Sequence, residues 1–238
     1  MPAWNLLSGF PGEDPAEYTR TAELLPLLTH LQPPTSCPPI RLDRFSPFFS
    51  QTDRFGLQRL RPAPAYYYVY PFGRRELARL AYFFDFDYPD ERRPFDYTRV
   101  VKQAIDDWYT VRNPSLTPDQ YARLDATLVD DGDLLIADTR PCAPVPSRLV
   151  TGTPAHALLR CDTSQTAAGL ARQMKTSEEE IRVALDSLRA SKLVVEMEDH
   201  YTSLPVLRNR PALRHTGESH AHAYIPETAA AQPLLRII

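Results

Sequence analysis

The chain has little glycine, 8 residues in 238, and only three cysteines, Cys37, Cys142 and Cys161. Cysteines this few and this scattered cannot build a disulfide framework. No pair has the short spacing that holds zinc or an iron–sulfur cluster, so ordinary reduced thiols are expected. A basic excess is also missing. With 27 Lys and Arg against 30 Asp and Glu, the net charge of -3 gives no general attraction to phosphate backbones or anionic membranes. Nucleic acid and membrane are therefore not expected partners. No apolar run approaches the ~18 residues of a membrane span, and the N-terminus lacks the basic region and apolar core of a signal peptide, so a cytoplasmic setting is expected. A GxSxG nucleophile elbow and a P-loop are absent too, which leaves Ser hydrolases and P-loop nucleotide enzymes without support.

Proline is abundant instead, with 24 residues. It clusters at Pro33-Pro34, Pro38-Pro39, Pro62-Pro64 and Pro141-Pro146, where it punctuates segments rather than forming a polyproline tract. Residues 4–13, WNLLSGFPGE, run as alternating apolar positions into a Gly-Pro-Gly turn closed by a carboxylate, the pattern of a strand ending at a rim. Asp14, Pro15 and Glu17 then supply a helix start, and Tyr18, Ala22, Leu25 and Leu28 repeat at helical spacing to about Leu31. In residues 38–49, PPIRLDRFSPFF, Ile40 and Leu42 alternate with Arg41 and Asp43, which predicts a second strand. Strand, helix, strand makes a parallel crossover unit that needs neighbours to be buried.

The middle of the chain is aromatic-rich. Leu77, Leu80, Ala81 and Phe84 predict a short helix, and Tyr97, Val100, Val101, Ala104, Ile105 and Trp108 a longer amphipathic one. Residues 122–139 read as two strands turning at Asp131-Gly132. From 148 onward the pattern is a short strand, helices over 156–161, 167–174 and from Thr176 or Ser177, then a hairpin turning at Glu198-Asp199, which together predict a winged helix-turn-helix. The polar, patternless tail from 208 is expected to be disordered. Its His215, His220 and His222 carry no metal-site geometry.

Several segments, WNLLSGFPGEDPAEY, LLTHLQPP, RLDRFSPFF, Phe55-Gly56, YYYVYP and LAYFFDF, together resemble the C-terminal half of radical S-adenosylmethionine enzymes that modify ribosomally made peptides. The likeness is strongest to the cobalamin-binding maturation proteins, which resemble C-methyltransferases, and it runs to about residue 207. It implies an α/β plus α+β chain: the final strands and helices of a partial radical SAM (β/α) barrel over 1–50, an α+β substrate-side region over 51–147, a winged helix over 148–207, and the tail. It also implies that Gly9, Phe10, Pro11, Gly12, Glu13, Ser46 and Pro47 lie near the adenosyl group of the cosubstrate.

That family's cluster-binding cysteine triplet, early barrel strands and cobalamin domain would precede residue 1. The expectation is a fragment of a longer enzyme, with no catalytic residue of its own and no cofactor held by this chain alone. The complete enzyme would carry S-adenosylmethionine, a four-iron four-sulfur cluster and, in the cobalamin-binding branch, cobalamin. Its partners would be a precursor peptide and the missing N-terminal part. Arg44, in the matched RFSP segment, and the aromatic Tyr66, Tyr68 and Tyr70 are the candidate substrate contacts. A different reading is a non-catalytic accessory module that binds a precursor peptide or partner enzyme through the winged helix, adding an extended segment to its edge. Direct DNA reading is disfavoured, because Glu178, Glu179 and Glu180 open the recognition-helix candidate.

Overall fold

A computed structural model describes residues 3–113, 115–117, 120–129 and 132–208. They fall into two compact units, the first made of residues 3–21 and 34–103, the second of residues 22–33 and 104–208.

In the first unit, residues 4–8 alternate buried Leu6 and Ser8 with exposed Asn5 and Leu7. The buried positions bond residues 35–40 in parallel fashion: Leu6 N donates to Ser36 O (3.0 Å), Ser8 N to Pro38 O (3.0 Å), and Ile40 N to Ser8 O (2.6 Å). This amounts to an isolated parallel bridge between Ser8 and Pro39, because Pro38 and Pro39 have no N–H to lengthen a ladder. Helix α1 (Ala16–Leu24) starts where Asp14 Oδ1 accepts from Ala16 N at 2.9 Å. It tightens into a 3-10 turn over Leu25–Leu28, since Pro26 cannot continue the α ladder.

Strand β1 (Leu42–Asp43) and strand β2 (Gln58–Pro62) flank strand β3 (Phe83–Asp87), both antiparallel to it. The intervening helices are α2 (Pro47–Ser50), α3 (Thr52–Phe55), α4 (Ala65–Val69) and α5 (Arg74–Leu80), and α6 (Pro94–Tyr97) and α7 (Arg99–Val111) follow. A small core of Leu42, Leu57, Ala81 and Phe84 is thickened by the rings of Phe48, Phe49, Phe55 and Tyr66.

Three local expectations are corrected here. The second strand, expected within residues 38–49 to stop at a proline, already ends at Asp43: Ser46 caps α2 by accepting from Phe49 N, and Pro47 opens it, a pairing that starts helices and cannot extend a ladder. The helix predicted through Phe84 stops at Leu80, and Phe84 lies in β3. Tyr97 belongs to the separate turn α6, which Thr98 closes by donating to Pro94 O at 2.7 Å.

In the second unit, β4 (Leu124–Leu128) and β5 (Leu134–Asp138) form the predicted antiparallel pair, from Leu124 opposite Asp138 to Leu128 opposite Leu134. Of the predicted turn, Gly132 takes φ +86 and Asp131 lies outside the described residues. β6 (Ser147–Val150) joins β5, and β10 (Val206–Leu207) joins β4 in parallel. Helices α8 (Gly152–Arg160), α9 (Ala167–Met174) and α10 (Glu178–Ala190) accompany a three-stranded antiparallel sheet of β7 (Gln165–Thr166), β9 (His200–Ser203) and β8 (Val194–Met197). Thr166 and Ser177 cap α9 and α10 by accepting from Gly169 N and Glu180 N, both at 3.1 Å. Glu198 and Asp199, at φ +50 and +60, make the tight turn of the β8–β9 hairpin.

One core joins these parts: Leu124, Leu134 and Ile136 of the strands cluster with Leu158, Leu170, Ile181, Leu185 and Leu188 of the helices. Among the described residues the sheets form no closed barrel, and no helix is long and apolar enough to cross a membrane. The expected disordered tail and its three histidines lie outside the described residues, Arg208 apart.

The second unit is tied together by a buried ion pair. Arg140 and Asp138, with side chains 0% and 4% exposed, meet through two guanidinium–carboxylate bonds of 2.9 and 2.7 Å. The remaining guanidinium donors reach Leu27 O (2.6 Å) and Lys192 O (2.8 Å). Nearby, buried His30 donates from Nε2 to Leu204 O at 3.0 Å, and its Nδ1 has no partner among the described residues. Burial and then the Arg140 cation lower its pKa from 6.5 to about 4, against the opposing pull of Leu204 O, Asp138 and Asp125. The folded protein thus holds His30 neutral where the unfolded chain protonates it, and stability falls as pH drops from about 6.5 towards 4. By pH 4.5 this group alone should remove about 2–3 kcal/mol. Urea unfolding at pH 7 and 4.5 should show that increment in the native protein and not in His30→Gln; equal pH dependence would refute the assignment.

Candidate functional site

The Gly9–Glu13 turn is organised around one carboxylate. Glu13, 7% exposed, accepts from Gly9 N on Oε1 (2.7 Å) and from Phe10 N on Oε2 (2.9 Å). Tyr18 of α1 donates its hydroxyl to Oε2 at 2.7 Å, and Tyr97 of α6 donates to Oε1. Tyr88 donates to Gly9 O, and Arg92, itself paired with Asp90, donates to Glu13 O at 2.9 Å. Burial first, and the adjoining Glu13 carboxylate second, push the Tyr18 and Tyr97 phenols far above their ordinary range. Every strong acceptor position of Glu13 is therefore used to hold the turn, and the phenols stay protonated donors.

Gly9 and Gly12 both take positive φ, +80 and +79, but for different ends. A Cβ on Gly9 would stand 2.6 Å from Tyr88 Oη and 3.0 Å from Pro94 Cγ, whereas one on Gly12 would meet nothing within 4 Å. Of the five turn residues, Gly9 and Glu13 face inward, and the half-buried Pro11 and exposed Gly12 leave backbone accessible to a ligand.

The second matched segment comes to the first through aromatic contact: Phe10 and Phe48 have ring centroids 6.3 Å apart, and Phe48 lies 4.6 Å from Phe55. Ser46 is occupied as a helix cap. Preceding it, Phe45 combines φ +70 with 81% exposure, an unfavourable backbone for a bulky side chain that leaves its ring in solvent. Composition alone did not single it out. Arg44 lies elsewhere in its bonding: its Nε donates to Ala81 O at 2.6 Å and its Nη2 to Ala78 O, so it clamps the C-terminal end of α5 to β1.

The tyrosines separate into two roles. Tyr66 accepts from Tyr82 N (2.9 Å) and Phe83 N (3.3 Å), and its ring stacks on Tyr70, which stacks on Phe72, with centroids 6.2 and 6.0 Å apart. Tyr68 is 90% exposed. With Tyr67, Arg61, Pro62, Pro64, Arg74 and Asp85 it lines an open depression of about 490 Å³. The structure thus gathers Tyr68 with groups not anticipated from the sequence, and leaves Arg44 and the Gly-rich turn in other clusters. Neighbourhood in YYY was a usable signal for Tyr67. Arg61 and Asp85 are brought opposite each other only by the β2–β3 register.

Cys37 belongs to the first unit, Cys142 and Cys161 to the second. Burial raises the Cys37 and Cys161 thiols, the latter to about 11, which disfavours thiolate. Among the described residues no group of three or more His, Cys, Asp or Glu is placed to hold a metal. No family model, no curated protein and no solved structure matches the chain.

Two substitutions separate steric from conformational demand in the turn. Gly12→Ala should cost about 1 kcal/mol from its φ alone, and Gly9→Ala clearly more, about 2–4 kcal/mol, because Tyr88 must also give way. Equal losses in urea unfolding would contradict the close approach. Conversely, Phe45→Gly should stabilise the protein by about 1 kcal/mol through relief of its backbone, and a destabilised variant would mean that the ring packs in solution.

Proposed function

We propose that this chain is the C-terminal, substrate-presenting portion of a radical S-adenosylmethionine enzyme that modifies, by C-methylation, a ribosomally synthesised precursor peptide in the cytoplasm. The observation that carries this is the open flank of residues 5–7. Its buried Leu6 bonds Ser36, while the backbone of exposed Asn5 and Leu7 has no hydrogen bond among the described residues. An edge of this kind accepts a further strand, as a barrel requires. It leads directly into the glycine-rich turn, and the Phe10–Phe48 contact joins that turn to the second matched segment. What the chain offers to S-adenosylmethionine is the accessible backbone of Pro11 and Gly12. The iron–sulfur cluster, and cobalamin where used, belong to a part of the enzyme outside these residues. This portion contributes orientation of the substrate rather than the radical chemistry.

A second observation favours the accessory reading. The chain order α8, β7, α9, α10, β8 and β9 supports a winged-helix reading, and β8 has no strand on its outer side among the described residues, with Met197 49% exposed. A peptide could add there as a strand. Glu178, Glu179 and Glu180 in the first turn of α10 oppose a phosphate backbone.

The DNA upstream of codon 1 distinguishes the readings. An in-frame segment with a closely spaced cysteine triplet is expected under the first; a functional ribosome-binding site directly before Met1 would overturn it in favour of the accessory. Under both, the chain alone should fail to cleave S-adenosylmethionine after iron–sulfur reconstitution, and turnover would sink both.

A further inference from the structure

Helix α4 is built from Ala65, Tyr66, Tyr67, Tyr68 and Val69, yet none of the five is buried. Tyr67, Tyr68 and Val69 are 44%, 90% and 67% exposed, and Pro62 and Pro64 continue the apolar surface into the depression beside them. Aromatic side chains left outside in this concentration mark a contact surface rather than a core.

The charges on that surface are of two kinds. Most nearby arginines are already paired: Arg41 with Asp43, Arg59 and Arg61 with Asp87, Arg92 with Asp90. Arg74, Arg75 and Arg79 of α5, all exposed, form no ion pair among the described residues, and Arg74 lines the depression. Asp85 lines it as well. It stands opposite Arg61 in the β2–β3 register, but the Arg61 guanidinium is bonded to Asp87 and to Arg59 O, so the Asp85 carboxylate is left without a hydrogen-bond partner among the described residues. The depression therefore presents a free cation, a free carboxylate and two phenol rings.

We infer that this depression seats an extended acidic peptide, with a peptide carboxylate on Arg74, apolar side chains between Tyr67 and Tyr68, and Asp85 taking a peptide N–H or cationic group. Recognition runs through side chains rather than strand addition, because Arg59 at φ +50 breaks the regular backbone of β2 and Pro62 has no N–H to donate. Single-stranded nucleic acid also stacks on aromatics, but it carries a phosphate on every unit and would set one against the free Asp85, whereas a peptide can place a carboxylate on Arg74 and a backbone N–H on Asp85. The inference deepens the peptide-presenting reading above by naming the class of segment recognised, and rests on that reading only for calling the peptide a precursor.

The test uses the full chain and fluorescein-labelled synthetic peptides that share one proline- and leucine-containing scaffold, with Glu, Gln or Lys at the same positions, and an oligo-dT strand of similar length. Fluorescence anisotropy should show the Glu peptide bound at least about tenfold more tightly than the Gln and Lys peptides, with the preference weakened between about 50 and 300 mM salt. Tyr68→Ala should weaken the Glu peptide about fivefold or more, and Arg74→Glu should turn the preference towards the Lys peptide, with circular dichroism and unfolding midpoint unchanged because both side chains are exposed. Binding indifferent to peptide charge, an Arg74→Glu variant that keeps the acidic preference, tighter capture of oligo-dT, or no peptide binding up to about 1 mM would each overturn the inference. The upstream reading frame and the S-adenosylmethionine assay do not depend on Arg74, so loss of either conclusion leaves the other standing.

Discussion

The geometry of the first unit depends on a buried carboxylate that must be fully bonded. A charge taken out of water is tolerated only when donors replace the solvent it loses. Glu13 finds four: two amides of its own turn and two phenols from α1 and α6. Satisfying it bends residues 9–13 back on themselves, which in turn demands a positive φ and no side chain at Gly9. The same bonds hold α1 and α6 on the turn, and Tyr88 and Arg92 then close on the carbonyls of Gly9 and Glu13. The flank of residues 5–7 is aimed by this arrangement.

The second unit uses the same solution with the sign reversed. Arg140 spends its donors on Asp138, Leu27 O and Lys192 O, so a cation rather than an anion ties distant segments together. Charge-assisted bonds of this kind are strong and directional. Such saturated groups build the molecule, and a group with unused bonding capacity on an exposed surface is what remains for recognition. By that criterion Glu13 and Arg44 are architectural here, while Arg74, Asp85, Tyr67 and Tyr68 are not.

Legibility of the candidate site follows the same division. The Gly9–Glu13 turn could be read from residue types in a row, because a turn is a local object. That Glu13 faces inward could not, since two of its donors, Tyr18 and Tyr97, arrive from other helices. Tyr68 was visible as one of a run of aromatics. Its separation from Tyr66, which is consumed by the amides of Tyr82 and Phe83, was invisible, because those amides lie on the far side of α5 in the chain.

The sequence by itself determined the local elements: the helix start at Asp14, the helix over 167–174, a helix start at 176 or 177, the hairpins at residues 124–138 and 194–203, and the amphipathic α7. Caps, turns and hydrophobic periodicity act over a few residues, so composition and spacing suffice to specify them. Where Ser-Pro at 46–47 competed with β alternation, the local helix start won. Only the tertiary structure decided that Leu42–Asp43 pairs antiparallel with Phe83–Asp87, that strands 124–150 share a core with the three helices, and which charges end up paired. Those outcomes turn on which distant segments approach closely enough to exclude water, and no short-range pattern encodes that separation.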